Sequence, residues 1–450
     1  MKERSYKRYL LVLLTGLLAF NYVDRVVLSV VLEPLKSDLS LSDTQLGVLT
    51  GVAFALFYSI MGIPIARWAD RGNRVSIIAL TAALWSIAVA LCGVARSFSQ
   101  LLFMRMVVPV GEAGCIPPGH SLIADEFARE ERPRAVALYA QGGTVAMTLG
   151  YFAAGWLGER VGWRLTFIFV GAPGLLLALL AWATLTEPRR AKGTALSQSV
   201  CNIVATQYKE IPPSVVVASQ LLWRNVTFRH LLLSFSVTYF FGYGIIQWQP
   251  TFFIRSHGLT TAHVGGWFAL VYGVVGGIGT FLGGELASRY APGDERRQMD
   301  ICAATSVVCA VLTAGSFLVR DTGSALTLLA AANLFGYASM GPVLAAIQTL
   351  VAPRMRAVSI ALVYLCANLV GMGLGPVAAG AMSDALTPLF GVESLRYALL
   401  LLCPGYIWGA WHLWRAGQTV RGDVLQATVE HAAVRQSQSS NSLSELGTVK

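Results

Sequence analysis

Long apolar runs alternate with short polar loops along nearly the whole chain. A transmembrane helix needs about 20 mostly apolar residues to cross a bilayer core of about 30 Å. The first run is long, carries charges and is closely followed by a second, which is not the pattern of a cleaved signal peptide. The pattern therefore predicts an all-α membrane protein with twelve transmembrane helices. The runs are centred near Ala19, Ala55, Ala83, Pro109, Thr148, Gly174, Phe241, Val275, Cys309, Asn333, Val370 and Cys403.

A polar break divides the twelve runs into six and six. It opens with the basic sequence EPRRAKG at Glu187 and contains the pair Pro212 and Pro213. A weak repeat supports two related halves, because a small residue followed by x-x-Ala-(Asp/Ser)-Arg occurs after the second run and again after the eighth. The last segment is rich in Gln, Ser and Glu and has little to bury. We predict a six-helix bundle at 1–186, a cytoplasmic linker at 187–228, a second six-helix bundle at 229–417 and a disordered cytoplasmic tail at 418–450.

Composition and charge support a membrane protein and exclude nucleic acid as a partner. The chain is 55% hydrophobic and 13% charged, against about 25% charged in an ordinary soluble domain. Its net charge is +10, but 25 of the 34 Lys and Arg residues lie in loops on the side of both termini and seven on the other side. Cytoplasmic loops of membrane proteins carry such an excess of Lys and Arg. We therefore expect both termini in the cytoplasm.

Motifs for cofactors, metals and catalysis are missing from the sequence. The seven cysteines show no CxxC or Cys/His spacing, and we interpret them as small buried hydrophobic residues. We find neither a phosphate-binding P-loop nor a serine nucleophile motif. We expect a protein without a cofactor or metal site and without enzymatic activity.

Four charged residues lie inside apolar runs. Asp24 and Arg25 lie in the run 10–32, and Arg105 and Glu112 lie in the run 101–123. A charge near the centre of a membrane helix costs about 2.5–3.5 kcal/mol on insertion scales. Such residues usually mark a substrate or ion pathway. The alternative is an ion-pair network that only holds the helices together.

Helical spacing constrains where these charges can point. Arg105 and Glu112 are seven residues apart, so they share a face about 10.5 Å apart and are predicted to act separately. Asp24 and Arg25 are adjacent and point about 100° apart, so at most one faces a central cavity squarely. Pro109 predicts a kink, and Pro117-Pro118-Gly119 predicts a break at the far end of this run. Which of Asp24 and Arg25 faces the cavity stays open.

The chemistry of the four groups indicates two roles. An arginine fork, at Arg105 or Arg25, suits a phosphate or carboxylate group. A carboxylate whose surroundings change can gain or lose a proton. We predict Asp24 as the first proton carrier and Glu112 as the second.

The runs of the second half carry neutral polar and aromatic residues and almost no charge away from their ends. A cavity with one charged wall and one aromatic-apolar wall suits an anion with an apolar tail. The predicted substrate-binding residues are Arg105, Arg25, Tyr22 and Asn21 in the first half and Tyr243, Gln247, Tyr364 and Asn368 in the second.

The loop after the second run resembles the signature of the major facilitator superfamily. That signature is Gly-x-Leu-Ala-Asp-Arg-x-Gly-Arg, and Asp70, Arg71 and Arg74 match it, whereas Ala66, Trp68 and Asn73 depart from it. With the arrangement of six and six helices, the resemblance covers nearly the whole chain. It implies alternating access, with Asp70, Arg71 and Arg74 at a cytoplasmic gate.

Within that superfamily the chain is most similar to the spinster branch, on three motifs. They are Asn21-Tyr22-x-Asp24-Arg25, then Arg105-x5-Gly111-Glu112-Ala113, and Ser121-Leu-Ile-Ala-Asp125; Pro109 departs from the usual Gly. The branch is associated with sphingosine-1-phosphate and lysophospholipid transport. The resemblance implies a proton-coupled transporter of an amphipathic anion, and we expect a monomer in a bacterial inner membrane. The alternatives are a transporter of small organic anions, such as sugar acids or aromatic acids, and a non-transporting receptor on the same fold.

Overall fold

The computed structural model describes residues 3–188, 215–291, 293–351 and 355–447, and every regular element in these ranges is helical. We number the segments that cross the bundle α1 to α12, and several of them consist of two or three consecutive helices. In the first half, α1 is Glu3–Leu39, α2 is Asp43–Thr50 with Val52–Arg71, α3 is Arg74–Cys92, α4 is Phe98–Glu112 with Ile116–Glu126, and α5 and α6 are the two arms of Arg132–Thr184.

The second half repeats this arrangement after a short helix, Val215–Arg224. Two of its segments contain a π-helical stretch, and a 3-10 turn, Gly391–Glu393, precedes the last segment. Three segments come first: α7 is Val226–His257, α8 is Thr261–Phe268 with Ala269–Val275 and Gly276–Tyr290, and α9 is Glu295–Leu318. Three more follow: α10 is Thr322–Ala338 with Met340–Thr349, α11 is Arg356–Cys366 with Ala367–Met372 and Gly373–Phe390, and α12 is Ser394–Leu402 with Pro404–Gly447.

Ten stretches of the described residues are long and apolar enough to span a membrane, and two of them are long enough for two crossings each. These two are Arg132–Thr184, with 53 residues, and Val358–Leu425, with 68. At 1.5 Å per residue, 53 residues extend about 80 Å, far more than a bilayer core of about 30 Å. The chain turns back at Gly162 in the first and at Gly391–Glu393 in the second. The twelve predicted transmembrane helices are thereby confirmed.

The break in α4 lies earlier than the sequence predicts. The helix Phe98–Glu112 contains Pro109 without ending there, and the chain leaves the helix at residues 113–115, directly after Glu112. Pro117 and Pro118 fall in the first turn of the next helix. The first turn tolerates proline because its N–H groups have no partner within the helix, so Pro117 and Pro118 belong to a helix start.

The two halves touch on one side of the bundle and separate on the other. We call the side of both chain ends the terminal side, and the other the opposite side. On the opposite side α2 packs against α11, and α5 packs against α8. On the terminal side the described helices pack within their own half: Ile116–Glu126 against α1, α2, α3 and α5, and Arg356–Cys366 against α7 and α10. The structure is therefore closed on the opposite side and open on the terminal side.

The predicted boundaries of the two bundles stay a prediction. Most of the predicted linker, 189–214, lies outside the described residues, while its last part forms the helix Val215–Arg224. The final helix continues from Pro404 to Gly447 and so includes residues 418–447 of the segment for which the sequence predicts disorder.

Candidate functional site

The four buried charges form two ion pairs that each join α1 to α4. Arg105 Nη1 donates to Asp24 Oδ2 at 2.7 Å, and both side chains are 1% exposed. Arg25 Nη2 donates to Glu112 Oε2 at 2.5 Å, and Arg25 Nε donates to the same oxygen at 3.2 Å. Arg105 and Glu112 therefore act separately, as their spacing predicts.

Arg25 is the member of the adjacent pair that reaches the open space. Its side chain is 20% exposed, whereas that of Asp24 is 1% exposed. Three rings surround its guanidinium group at 4.7, 4.2 and 5.3 Å from their centroids; they belong to Tyr22, Phe54 and Tyr58. Aromatic faces attract a guanidinium cation, most strongly where water is excluded. The rings hold the guanidinium plane in place and leave part of it accessible.

Three oxygen atoms beside these ion pairs are buried without a hydrogen-bond partner among the described residues: Asn21 Oδ1, Asp24 Oδ1 and Glu112 Oε1. Asn21 Nδ2 donates to the backbone oxygen of Glu112 at 3.1 Å, which ties α1 to the end of the helix in α4. The Asp24 and Glu112 carboxyl groups also lie close enough to interact with each other. A buried carboxylate oxygen without a donor is unfavourable, and a proton on either carboxyl group would supply one.

Close packing behind Glu112 fixes its position. A Cβ atom at Gly111 would lie 2.7 Å from the backbone oxygen of Thr81 and 2.7 Å from the backbone nitrogen of Trp85 in α3. Only glycine allows α4 to approach α3 this closely. The helix ends one residue later, at Glu112, so Glu112 lies directly beside this close contact between α3 and α4.

A cavity of about 290 Å³ lies inside the second half, between α7, α8, α9, α10 and α12. Its lining residues run along α7 from Ser234 to Gln249 and include Tyr239, Tyr243 and Tyr272. No charged side chain lines it in the described part of the chain. The cavity thus has the uncharged, partly aromatic lining expected of the second half, while the charged residues of α1 and α4 lie outside its lining.

Tyr243 of the second half interacts with a charged residue of the first half. It lines the cavity, its ring lies 5.4 Å from that of Tyr239, and it interacts electrostatically with Arg25. Tyr364 of α11 packs edge-on against Phe235, another lining residue, at 5.9 Å. Tyr243 is therefore the lining residue that relates the cavity to Arg25.

Gln247 and Asn368 are half-buried, and neither lines this cavity. Gln249, two residues after Gln247, lines it instead, because two residues rotate a helix by about 200°. Sequence reasoning missed Gln249. Gln249 shares a face of α7 with Thr238 and Gly242, but only the packing shows that this face lines the cavity.

The three residues of the predicted gate have different surroundings. Asp70 and Arg71 are exposed at the end of α2 on the terminal side. Arg74 is completely buried and pairs with Glu187 at 2.5 Å and Asp125 at 2.7 Å. Its partners all belong to the first half, and they include the hydroxyl group of Ser121. Arg74 thus links the start of α3 to the ends of α4 and α6.

A second charged cluster, which sequence reasoning did not single out, closes the opposite side. Arg255 of α7 binds Asp43 of α2 and Glu33 of α1, while Asp384 of α11 accepts hydrogen bonds from the backbone nitrogens of Asp43 and Thr44. Asp384 therefore caps the start of α2 from the other half, where a negative charge is favourable. We call these five residues the opposite-side lock. Its members come from three parts of the sequence, at 33–44, 255 and 384, and no local signal connects these parts.

Comparison with known proteins fits this architecture. A profile described as Major Facilitator Superfamily matches residues 14–376. A bacterial homologue of the human lysosomal transporter Spinster, in an inward-facing and unoccupied conformation, superposes with a TM-score of 0.81 at 30% identity, covering 93% of this chain and 98% of that one.

Two curated relatives cover most of the chain. An MFS-type efflux pump of Mycolicibacterium smegmatis is 32% identical over 411 residues, which are 90% of this chain and 91% of the relative. A probable L-galactonate transporter of Escherichia coli is 26% identical over 391 residues, 85% of this chain and 83% of the relative. The homologues and the fold are those of membrane transporters and not of enzymes. The chain belongs to the major facilitator superfamily, within which it is similar to the spinster branch.

Proposed function

We propose that this chain is a proton-coupled secondary active transporter of an amphipathic anion, of the lysophospholipid or sphingosine-1-phosphate type, that works by alternating access. One observation carries the proposal. The accessible cation Arg25 interacts electrostatically with Tyr243, and Tyr243 lines an uncharged cavity of about 290 Å³. An anionic head and an apolar chain of one molecule can occupy these two places together.

We assign the anionic head to Arg25. A guanidinium fork suits a phosphate group, and the rings around Arg25 fix its orientation in advance. Arg105, the first choice from the sequence, is 1% exposed in this conformation and engaged with Asp24. Arg105 is therefore proposed to hold Asp24, and Arg25 to bind substrate.

We assign the chain of the substrate to the cavity in the second half. Ligand pockets usually measure about 300–1,000 Å³ and are lined mainly by apolar and aromatic side chains. The cavity is near the lower limit of that range and follows α7 over the 16 residues from Ser234 to Gln249, about 22 Å of helix. A narrow, elongated space of this kind suits an extended chain.

Competition for Arg25 supplies a coupling mechanism. A phosphate that draws Arg25 away leaves Glu112 buried without its partner, and breaking a buried pair in this way costs about 3–5 kcal/mol. A proton on Glu112 removes the unpaired charge. Substrate anion and proton therefore favour the same state. This reverses the order expected from the sequence, because Glu112, and not Asp24, pairs with the accessible arginine.

The orientation in the membrane belongs to the same proposal. If both termini are cytoplasmic, as the excess of Lys and Arg on that side favours, the structure is open to the cytoplasm. The likeness to an inward-facing spinster homologue supports this orientation. We retain a bacterial inner membrane and a monomer as parts of the proposal.

A second candidate substrate class is small sugar acids. The probable L-galactonate transporter among the relatives favours it, and so do the hydroxyl and amide groups that line the cavity. Such a substrate would need the anion site at Arg25 but not the length of the cavity.

Flux measurements in proteoliposomes test the proposal. Labelled lysophosphatidic acid and sphingosine-1-phosphate are offered with and without a pH gradient, with labelled galactonate as the competitor class. We expect gradient-dependent accumulation of the lipids by the wild type. Arg25→Ala should lose accumulation, and Glu112→Gln should keep binding but lose its dependence on the gradient. Asp38→Asn is the control, because it alters an exposed carboxyl group that pairs with Arg164.

The outcomes separate the hypotheses. Accumulation of galactonate and not of lipid would favour the second class. Binding without accumulation would indicate a receptor. If Glu112→Gln keeps the full effect of the gradient while Asp24→Asn loses it, the proton carrier is Asp24, as the sequence predicts.

A further inference from the structure

The end of the second-half cavity nearest the opposite side is polar. Gln249 of α7 is 2% exposed, Tyr272 of α8 is 4% exposed, and both line the cavity with Asn333 of α10. The Tyr272 hydroxyl group donates a short hydrogen bond to Gln249 Oε1. Asn333 lies within hydrogen-bonding range of the same hydroxyl group. A saturated hydrocarbon chain could not form hydrogen bonds with this cluster of polar side chains.

The amide nitrogen of Gln249 carries two N–H groups that can donate hydrogen bonds to a ligand. Within the described ranges the side chain of Gln249 has one partner, Tyr272, which holds the oxygen of the amide group. Among the described residues, neither N–H group at the other end of the amide has a hydrogen-bond partner. An amide donor at the wall of a cavity needs an acceptor supplied by water or a ligand. The cavity itself borders this residue, so an acceptor atom can reach it.

The charge of the surroundings limits what that acceptor can be. No charged side chain lines the cavity in the part of the chain that the structure describes. A carboxylate or phosphate placed there would be buried without a countercharge, which is strongly unfavourable. A neutral oxygen, of a hydroxyl or carbonyl group, needs only the donors that Gln249 offers.

We infer that the cavity binds a chain that carries a neutral oxygen acceptor part-way along, and that Gln249, positioned by Tyr272, donates hydrogen bonds to that oxygen. This inference rests on the proposed function, because it concerns the chain of the amphipathic anion whose head binds Arg25. Gln249 lies six residues beyond Tyr243 on α7, about 9 Å along the helix axis. The preferred oxygen is therefore in the middle of the chain and not at its end.

Binding of two matched lipids to the full-length protein in detergent tests the inference without requiring transport. The probes are lysophosphatidic acid with a mid-chain hydroxystearoyl group and the same lipid with a stearoyl group. The wild type should bind the hydroxylated lipid at least about tenfold more tightly. In Gln249→Leu the two lipids should bind with equal affinity, and the affinity for the stearoyl lipid should stay within about twofold of the wild-type value.

Two further variants keep the test decisive. Tyr272→Phe releases the amide group of Gln249 and should reduce the ratio even if Gln249→Leu does not fold. Tyr139→Phe is the control, because it removes the hydroxyl group of a tyrosine that is 1% exposed in the first half. The ratio in Tyr139→Phe should equal that of the wild type.

Three results overturn the inference. They are equal affinities in the wild type, a ratio that persists in both Gln249→Leu and Tyr272→Phe, and no binding of either lipid. The last result would also remove the proposed lipid substrate. A hydroxyl preference that depends on Gln249, found together with a lack of flux in proteoliposomes, would leave the inference standing and overturn only the transport of lipid.

Discussion

Arg255 and Asp43 join the two halves of the protein on the opposite side. Arg255 Nη1 and Nη2 donate to the two carboxylate oxygens of Asp43 at 2.8 and 2.7 Å, across 212 residues of sequence. Their side chains are 8% and 2% exposed. A bidentate pair in such a buried place is geometrically specific, and removing Arg255 takes both of these hydrogen bonds from Asp43. The pair therefore holds the closed side shut.

Loss of Arg255 should open the opposite side. In Arg255→Ala, Asp43 keeps Lys36 and Ser383 as partners but loses its contact with α7. We expect the closed state to lose up to about 3 kcal/mol, less than the full effect of breaking a buried pair, because Lys36 still pairs with the Asp43 carboxylate. Spin labels at Ser37 of α1 and Leu389 of α11 should be further apart in Arg255→Ala than in the wild type, as measured by double electron–electron resonance. Arg164→Ala removes an exposed pair on the same side and should leave these distances unchanged.

The crossing of α5 and α8 should tolerate no side chain at Gly155. A Cβ atom there would lie 2.5 Å from the backbone oxygen of Thr261 and 2.7 Å from Gly265 Cα. Gly155→Ala must therefore push the two halves apart where they now touch. We expect a transport rate reduced about tenfold or more, since about 1.4 kcal/mol already corresponds to tenfold. At Gly158, one turn further, the nearest atom would be 3.5 Å away, so Gly158→Ala should retain transport.

Arg25 should not be replaceable by lysine. Arg25→Lys keeps the positive charge but loses the planar fork and most of the stacking on Tyr22 and Phe54. We expect the affinity for an anionic substrate to fall about tenfold or more, measured by titration calorimetry in detergent. An affinity equal to that of the wild type would mean that Arg25 contributes only charge.

Arg74 should stabilise the first half independently of any role at a gate. In Arg74→Ala, Glu187, whose side chain is 3% exposed, and Asp125 lose a buried partner. We expect a loss of about 3–5 kcal/mol and a lower midpoint of thermal unfolding in detergent. Arg71→Ala, at an exposed position of the same motif, should leave the midpoint unchanged. Equal midpoints for both variants would indicate that Arg74 does not hold α3, α4 and α6 together.

Periodicity and charge were enough to predict most of the architecture. Twelve apolar runs imply twelve helices because each run must satisfy its own backbone hydrogen bonds in the bilayer. The seven-residue spacing of Arg105 and Glu112 predicted that they act separately, since a helix fixes the rise and rotation between its residues. These are local properties, so the sequence contains them.

The sequence did not predict which charged residues of different helices pair with each other. It showed that at most one of Asp24 and Arg25 could face the cavity, but the choice depends on how α1 is rotated against α4. The structure pairs Asp24 with Arg105 and leaves Arg25 accessible. Gln249 was missed in favour of Gln247 for the same reason, because both lie on α7 and only packing decides which face lines the cavity.

The sequence by itself determined the helices, their number and the presence of charge within them, because these follow from burial and backbone geometry along the chain. The tertiary structure alone decided which charges meet. Arg255 and Asp43, or Arg25 and Tyr243, come together only when two halves folded from distant segments pack against each other. Contacts over that separation have no local signal, and they form the lock and the site on which transport is proposed to depend.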